Sequence, residues 1–217
     1  AFYPQATHQC GPAALATVLV TAGVDTKPEQ LVPEVYIPAR RGSLQLEMLA
    51  ADRRHGRIPW LLPPEFTALQ AELAAGNPVL VLQDLGALGI RRWHYAVVIG
   101  HDPEREVLVL RSGTQRRHLE GERYFLRSWQ ASDNWAITLT PPGRIPATAT
   151  AAAWVRAIAD SERHLPAADL DATYAAALRR WPDDPLLLFI SANREHARGR
   201  TAAAETSYRR LLALQPE

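Results

Sequence analysis

Apolar residues crowd the first two dozen positions of the chain, and the rhythm with which they recur then changes. The run "AALATVLV" at 13–20 has the apolar density of a buried helix, and Gly23 just past it is placed to cap the helix end. "DTKPEQLVPEVYIPARRGS" at 25–43 is broken by prolines and reads as a loop with a short helical piece. Leu44, Leu46, Met48, Leu49 and Ala50 mark another helix, "LQLEMLAADRRH", with Ser43 as its expected cap and a stop at Gly56. "IPWLL" at 58–62 is short, apolar and followed by two prolines, which predicts a strand. "FTALQAELAAG" at 66–76 predicts a third helix, with Phe66, Leu69 and Leu73 on one face. From residue 78 onward the pattern is that of strands: "PVLVLQ", "WHYAVVIG", "EVLVLRSG" and "NWAITLT", with "ERYFLRSW" a less regular candidate between the last two.

Helices first and an antiparallel sheet afterwards define an α+β domain over residues 1–141. The prolines and small residues of 142–150 mark a linker, and 151–217 is alanine-rich and helical throughout. This all-α part also repeats. Tyr174, Leu178 and Pro182 return 34 residues later as Tyr208, Leu212 and Pro216, a period that resembles the tetratricopeptide repeat. With each proline at a repeat's end, Trp154 and Leu188 take the first large apolar position and Ile158 and Ala192 a position usually held by a small residue. Ala204 takes the small position of the second hairpin helix, whereas Ile158 and Leu170 exceed the pattern's size. Two hairpins bury little surface alone, so they are expected to pack on the first domain, on further repeats or on a protein partner. A plain helical cap with no binding role is the alternative.

Composition narrows the function classes. With 47% hydrophobic and 22% charged residues, the chain is of the ordinary globular kind. No apolar run reaches the roughly 18 residues needed to cross a bilayer, so no membrane span is expected. The 24 basic residues, nearly all arginine, are matched by 23 acids, which leaves no nucleic-acid footprint. A single cysteine permits neither an internal disulfide nor a cysteine-based zinc cage, and the seven histidines show no HExxH spacing. No metal or other cofactor is expected. Ala1 in place of methionine is what a removed leader or a trimmed end leaves.

Cys10, the one cysteine, stands at the mouth of the first helix. Unpaired backbone N–H groups and the positive end of the helix dipole favour a thiolate there. The competing reading is a small buried hydrophobe. A thiolate nucleophile needs a base, and imidazole is suited to exchange protons near neutral pH. His94, at the start of "HYAVVIG", is the leading candidate, against a structural histidine beside a strand. His55 ends a helix, His101 lies in a turn, His118 is in a polar stretch, His164 and His196 belong to the repeats, and His8 is too close to Cys10 in sequence to reach round easily.

"PQATHQCGPAALATVL" together with "HYAVVIGHD" resembles the papain-fold peptidases that cut bacteriocin leaders after a double glycine, and more closely their stand-alone bacterial relatives. The resemblance covers roughly residues 1–140. It implies a papain-like cysteine peptidase fold, with Cys10 as nucleophile and His94 as base. Gln5, with the backbone N–H of Cys10, would steady the oxyanion of acyl transfer. Gln9 is the rival donor, though its place next to Cys10 points it elsewhere. Such enzymes hold the histidine with an aspartate or asparagine on the next strand, and here the match fails. Folding the hairpin about Pro103 and Glu104 brings Arg111, Ser112 and Gly113 opposite His94. Asp102 is some 26 Å away at about 3.3 Å per residue, which makes it a turn residue. The orienting group is Ser112, a backbone carbonyl, or absent.

The same hairpin is expected to gather Arg91, Arg92, Arg116 and Arg117 into a basic rim beside the nucleophile, either a solvated surface or an attraction for an acidic substrate. The leading reading is a thiol-dependent hydrolase that cleaves a peptide or amide bond through an acyl-enzyme on Cys10, its repeats recruiting a protein. One alternative is an inactive peptidase-fold scaffold that binds a protein or peptide. The other is an acyltransferase or deamidase on the same fold. The resemblance further implies a place in the bacterial cell envelope or periplasm, with the cytoplasm as the alternative.

Overall fold

In a computed structural model that describes residues 1–4 and 10–214, the apolar run after Cys10 forms α1 (Cys10–Thr21), buried from Gly11 to Leu19. A helix with no polar face must be covered all round, and its hydroxyls turn inward on the helix itself. Thr17 Oγ1 donates to Ala13 O at 2.9 Å, and Thr21 Oγ1 to Thr17 O at 2.8 Å. Gly23, at φ +84°, ends the helix in the left-handed conformation that glycine adopts without strain. The proline-broken stretch contains a full helix, α2 (Pro28–Val35), followed by a 3₁₀ turn, Pro38–Arg40. α3 (Gln45–Arg54) starts without a side-chain cap, so Ser43 does not play the part expected of it.

The strand β1 (Trp60–Leu61) and helix α4 (Phe66–Ala74) follow, then β2 (Val79–Asp84), β3 (Trp93–Asp102) and β4 (Val107–Ser112). Next comes an element missing from the sequence reading, β5 (Gln115–Gly121). "QRRHLEG" has no apolar alternation because β5 is an edge strand, and polar side chains protect such an edge from pairing with other chains. "ERYFLRSW" forms not a strand but α5 (Glu122–Gln130), whose buried Phe125, Ser128 and Trp129 stand at helical spacing. The last strand of the sheet is β6 (Ala136–Thr138).

The sheet runs β1-β6-β2-β3-β4-β5, with every neighbouring pair antiparallel. Leu80, Leu82, Tyr95 and Val97 share a core with Leu15, Leu19 and Met48 on the α1 side. The alternating residues Val79, Val81, Ala96 and Val98 are buried as well, so the opposite face is also covered, by α4 and α5. Each large side chain so buried contributes about 1.5–3 kcal/mol.

The chain divides into two units, Ala1–Pro141 with Pro146–Thr148, and Pro142–Ile145 with residues from 149 onward. The first unit holds its stray segment through Glu72. This buried carboxylate accepts from Asn77 Nδ2 at 2.6 Å, Ala147 N at 3.1 Å, Thr148 N at 2.8 Å and Thr148 Oγ1 at 2.7 Å. The second unit contains α6 (Ala151–Ser161), α7 (Ala167–Arg180), α8 (Pro185–Ala197) and α9 (Thr201–Leu214). Trp154, Ile158, Leu170, Tyr174, Leu188 and Ala192 are buried in it. Arg194 ties it together, at 2.9 Å from Glu162, 2.8 Å from Asp171 and 4.7 Å from the centroid of the Tyr174 ring. Among the described residues of α9 only Ala204 is buried, and Leu212 is 72% exposed. Pro216 lies outside the described residues.

Two outcomes are expected of the first unit. Glu72→Ala should cost about 3 kcal/mol in urea unfolding, since it strands several donors in the interior. Asp52 on α3 is fully buried, and neither carboxyl oxygen has a partner among the described residues. Burial pushes its pKa well above the usual carboxylate range, only partly offset by the neighbouring Arg53. Between the ordinary and the raised value the folded state binds more protons than the unfolded state, so stability falls as pH rises. Asp52→Asn should flatten that decline in urea titrations run from about pH 4 to about pH 8.

Candidate active site

Cys10 opens α1, where the N–H groups of the first turn have no partner within the helix. The backbone N–H groups of Tyr95, Gly11 and Cys10 itself reach its sulfur. Since Tyr95 follows His94 in β3, the bond from Tyr95 lays the thiol against the strand that carries the histidine. Tyr95 is fixed in turn: its hydroxyl donates to Ser43 O at 3.2 Å, and its ring meets Trp135 edge-on with centroids 5.8 Å apart. A side chain at Gly11 would place Cβ 2.3 Å from Ser43 Oγ, so the residue after the cysteine has to be glycine for this segment to approach α1.

Cys10, His94 and Ser112 line one open cleft of about 1120 Å³. Burial pushes the Cys10 thiol above its ordinary pKa and outweighs the three backbone N–H groups that pull it down. The helix mouth therefore does not deliver the resting thiolate expected from the sequence. Burial likewise pushes His94 down to about 4, with electrostatic repulsion from Arg92 and then His118 adding to the shift. At neutral pH the two groups are a thiol and a neutral imidazole.

His94 Nε2 lies 2.8 Å from Ser112 Oγ. The hairpin is centred between Glu104 and Arg105 rather than between Pro103 and Glu104, with Asp102 opposite Val107, and the register shifts between Val98 and Gly100. Ser112 nevertheless meets the histidine. A hydroxyl donates or accepts as required, so it steadies the ring without choosing its tautomer and brings no charge to stabilise an imidazolium. Asp102 sits at the far end of β3, where its carboxylate accepts from Arg105 N at 3.2 Å.

Gln83, the Cα partner of His94 across the β2–β3 ladder, is buried and donates to Glu120 Oε1 at 2.6 Å and Ser128 Oγ at 2.9 Å. This pins β2 to β5 and α5. His118, 3.4 Å from Glu120 Oε2, lines the same cleft as His94, and the sequence reading passed over it because β5 was not recognised. The i, i+2 spacing of His118 and Glu120 was the available signal. Other histidines serve the framework. His55 pairs with Glu34 at 2.9 Å, and His101 stands between Glu122 at 2.9 Å and Gln70 at 3.2 Å.

Gln5 and Gln9, the two oxyanion candidates, lie outside the described residues. The expected basic rim is regrouped: Arg91 and Arg92 line the cleft, whereas Arg116 and Arg117 line a separate hollow with Arg111. Arg40 and Arg41, from the 3₁₀ turn and its end, join the first pair. Among the described residues no three His, Cys, Asp or Glu side chains gather as a metal site, and no helix is long and apolar enough to cross a membrane.

Residues 1–137 match the Peptidase_C39 like family. The chain belongs to that family. Two solved structures share the fold of this C39-like unit. A putative C39-like peptidase from Bacillus anthracis aligns with a TM-score of 0.53 at 15% identity, covering 64% of this chain and 94% of that one. The peptidase domain of Streptococcus ComA, a bifunctional ABC transporter involved in a quorum-sensing pathway, aligns with a TM-score of 0.52 at 23% identity, covering 64% and 96%. No curated protein matches the chain.

Ser112 is the informative position in this C39-like site. Ser112→Asp places a carboxylate against His94 Nε2 and should raise the histidine's pKa by about 2 units, read from its ring protons by NMR titration. Ser112→Ala should weaken ring positioning without an upward shift of that size.

Proposed function

We propose that the protein is a thiol hydrolase that cleaves a peptide or amide bond through an acyl-enzyme on Cys10. One observation carries this reading: a cysteine at a helix N-terminus and a half-buried neutral histidine face one cleft in a C39-like fold. With Nε2 engaged by Ser112, Nδ1 is the ring nitrogen left to take the thiol proton, which requires the tautomer protonated at Nε2. His94 takes the proton as sulfur attacks the acyl carbon, and the pair passes from two neutral groups to charge only during reaction. His94 then returns the proton to the leaving amine, and water activated by the same imidazole releases the acid and the free thiol. The backbone N–H of Cys10, joined by Gln5, is the proposed oxyanion donor.

A second reading is an inactive scaffold that binds a peptide or protein in the same cleft. The uncharged Ser112 and the raised thiol pKa favour it. In either reading the 34-residue recurrence in α6–α9 points to tetratricopeptide-type hairpins that recruit a protein. The cell envelope is the proposed location.

Peptide hydrolysis by the full chain decides between the two readings. The hydrolase should lose at least about a thousandfold in kcat/KM in Cys10→Ala and in His94→Ala. Because His94 stays neutral down to about pH 4, the acid limb of kcat/KM should fall near that value rather than near the ordinary histidine value. Turnover unchanged in Cys10→Ala, or no turnover of any peptide in a diverse pool, would reject the hydrolase.

A further inference from the structure

The cleft beside Cys10 has a charge that nucleophile and base do not account for. Arg40, Arg41, Arg91 and Arg92 line it, and among the described lining residues the one carboxylate is that of Asp133. Three of the four guanidinium groups, those of Arg40, Arg41 and Arg92, have no acidic side chain in ion-pair range among the described residues. Arg91 is the exception, 4.0 Å from Asp84 and 5.2 Å from the centroid of the Trp93 ring.

Two separate turns present these groups. Arg41 has φ +48°, in a turn closed by Ile37 N donating to Gly42 O at 2.8 Å and Arg41 N donating to Pro38 O at 3.1 Å. Arg92 belongs to the loop between β2 and β3, which is gathered by the Asp84 carboxylate. Its Oδ1 accepts from Gly86 N at 2.9 Å and Arg92 N at 2.7 Å. A side chain at Gly86 would meet Ile90 O at 1.9 Å, so the loop closes only around glycine. The first turn is held by its own backbone and the second by the Asp84 carboxylate, while the guanidinium groups of Arg40, Arg41 and Arg92 have no acidic partner among the described residues. Like charges brought together without counter-ions repel one another at a cost to the folded state, and a bound anion offsets that cost.

We infer that the cleft selects peptides carrying Asp or Glu side chains next to the bond presented to Cys10, with Arg40, Arg41 and Arg92 pairing with those carboxylates. The inference rests on the cleft being the substrate site of the proposed hydrolase and goes further by naming the substrate's charge. A peptide with a free C-terminal carboxylate offers the same chemistry at its end and is separated by the test.

Two measurements on the full chain need no turnover. The first compares alkylation of Cys10 by iodoacetate and by iodoacetamide at low ionic strength. The ratio of the two rates cancels the thiol's own reactivity and reports attraction for the anion. It should exceed the ratio for a small free thiol by about tenfold, fall to the free-thiol value in the Arg40→Gln, Arg41→Gln, Arg92→Gln triple variant, and be restored in the matching lysine triple. The second measures binding of amidated decapeptides to Cys10→Ala, one with central Glu residues and one with Gln at the same places. The Glu peptide should bind about tenfold tighter at low salt, an advantage that shrinks in 0.5 M salt and disappears in the arginine-to-glutamine triple variant. A rate ratio equal to that of the free thiol, equal binding of the two peptides, or a Glu preference that survives the triple variant would overturn the inference. A Gln peptide with a free C-terminus that binds as tightly as the amidated Glu peptide would also overturn it. Loss of hydrolysis alone leaves both readouts standing, so failure of the hydrolase reading and failure of the charge inference remain distinguishable.

Discussion

The structure depends on burying a predominantly apolar helix against the middle of an antiparallel sheet. α1 has no polar face, so the sheet must cover one side of it and α2 and α3 the others. That packing also decides where the helix begins. Its first turn comes up against β3 at Tyr95, whose backbone N–H reaches the Cys10 sulfur. Gly11 is the condition for this, because the approach of Ser43 leaves no room for a side chain after the cysteine.

The same burial governs the electrostatics. Removing a thiol and an imidazole from water penalises the charged form of each, so the thiol moves up and the imidazole down. A carboxylate against His94 would oppose that drift by stabilising the imidazolium, and Ser112 supplies a hydrogen bond in its place. The buried carboxylate of Glu120 on β5 is engaged with Gln83 and His118 instead. The resulting centre is uncharged at rest inside a cleft bordered by arginines. Charge would develop at sulfur and on substrate oxygen during acyl transfer, where a positive surround has most effect.

The fold's main elements were legible where one physical signal dominated. The Cys10 helix and β2 bury continuous apolar runs, and α6 to α8 bury residues at helical spacing. β5 and α5 were not legible for opposite reasons. β5 is an edge strand whose polar residues carry no inward face to read, and α5 has a short aromatic run that a strand would also accept. Ser43 looked like a cap because serine before a helix usually is one. In the structure its hydroxyl is buried beside Gly11, where tertiary packing overrides a local preference.

The sequence by itself determined the candidate chemistry of the site: one cysteine at a helix start, one histidine at a strand start, and no acid on the returning strand to hold it. Those facts are local, set by residue identity and short spacing. Tertiary structure decided what surrounds them. It brought Ser112 to His94 through a hairpin whose register shifts between Val98 and Gly100, and it left the thiol and imidazole neutral by burying both. It also exchanged Arg116 and Arg117 for Arg40 and Arg41 at the rim of the cleft. Desolvation and the meeting of distant turns depend on the whole packed sheet and its helices, and no stretch of sequence carries them alone.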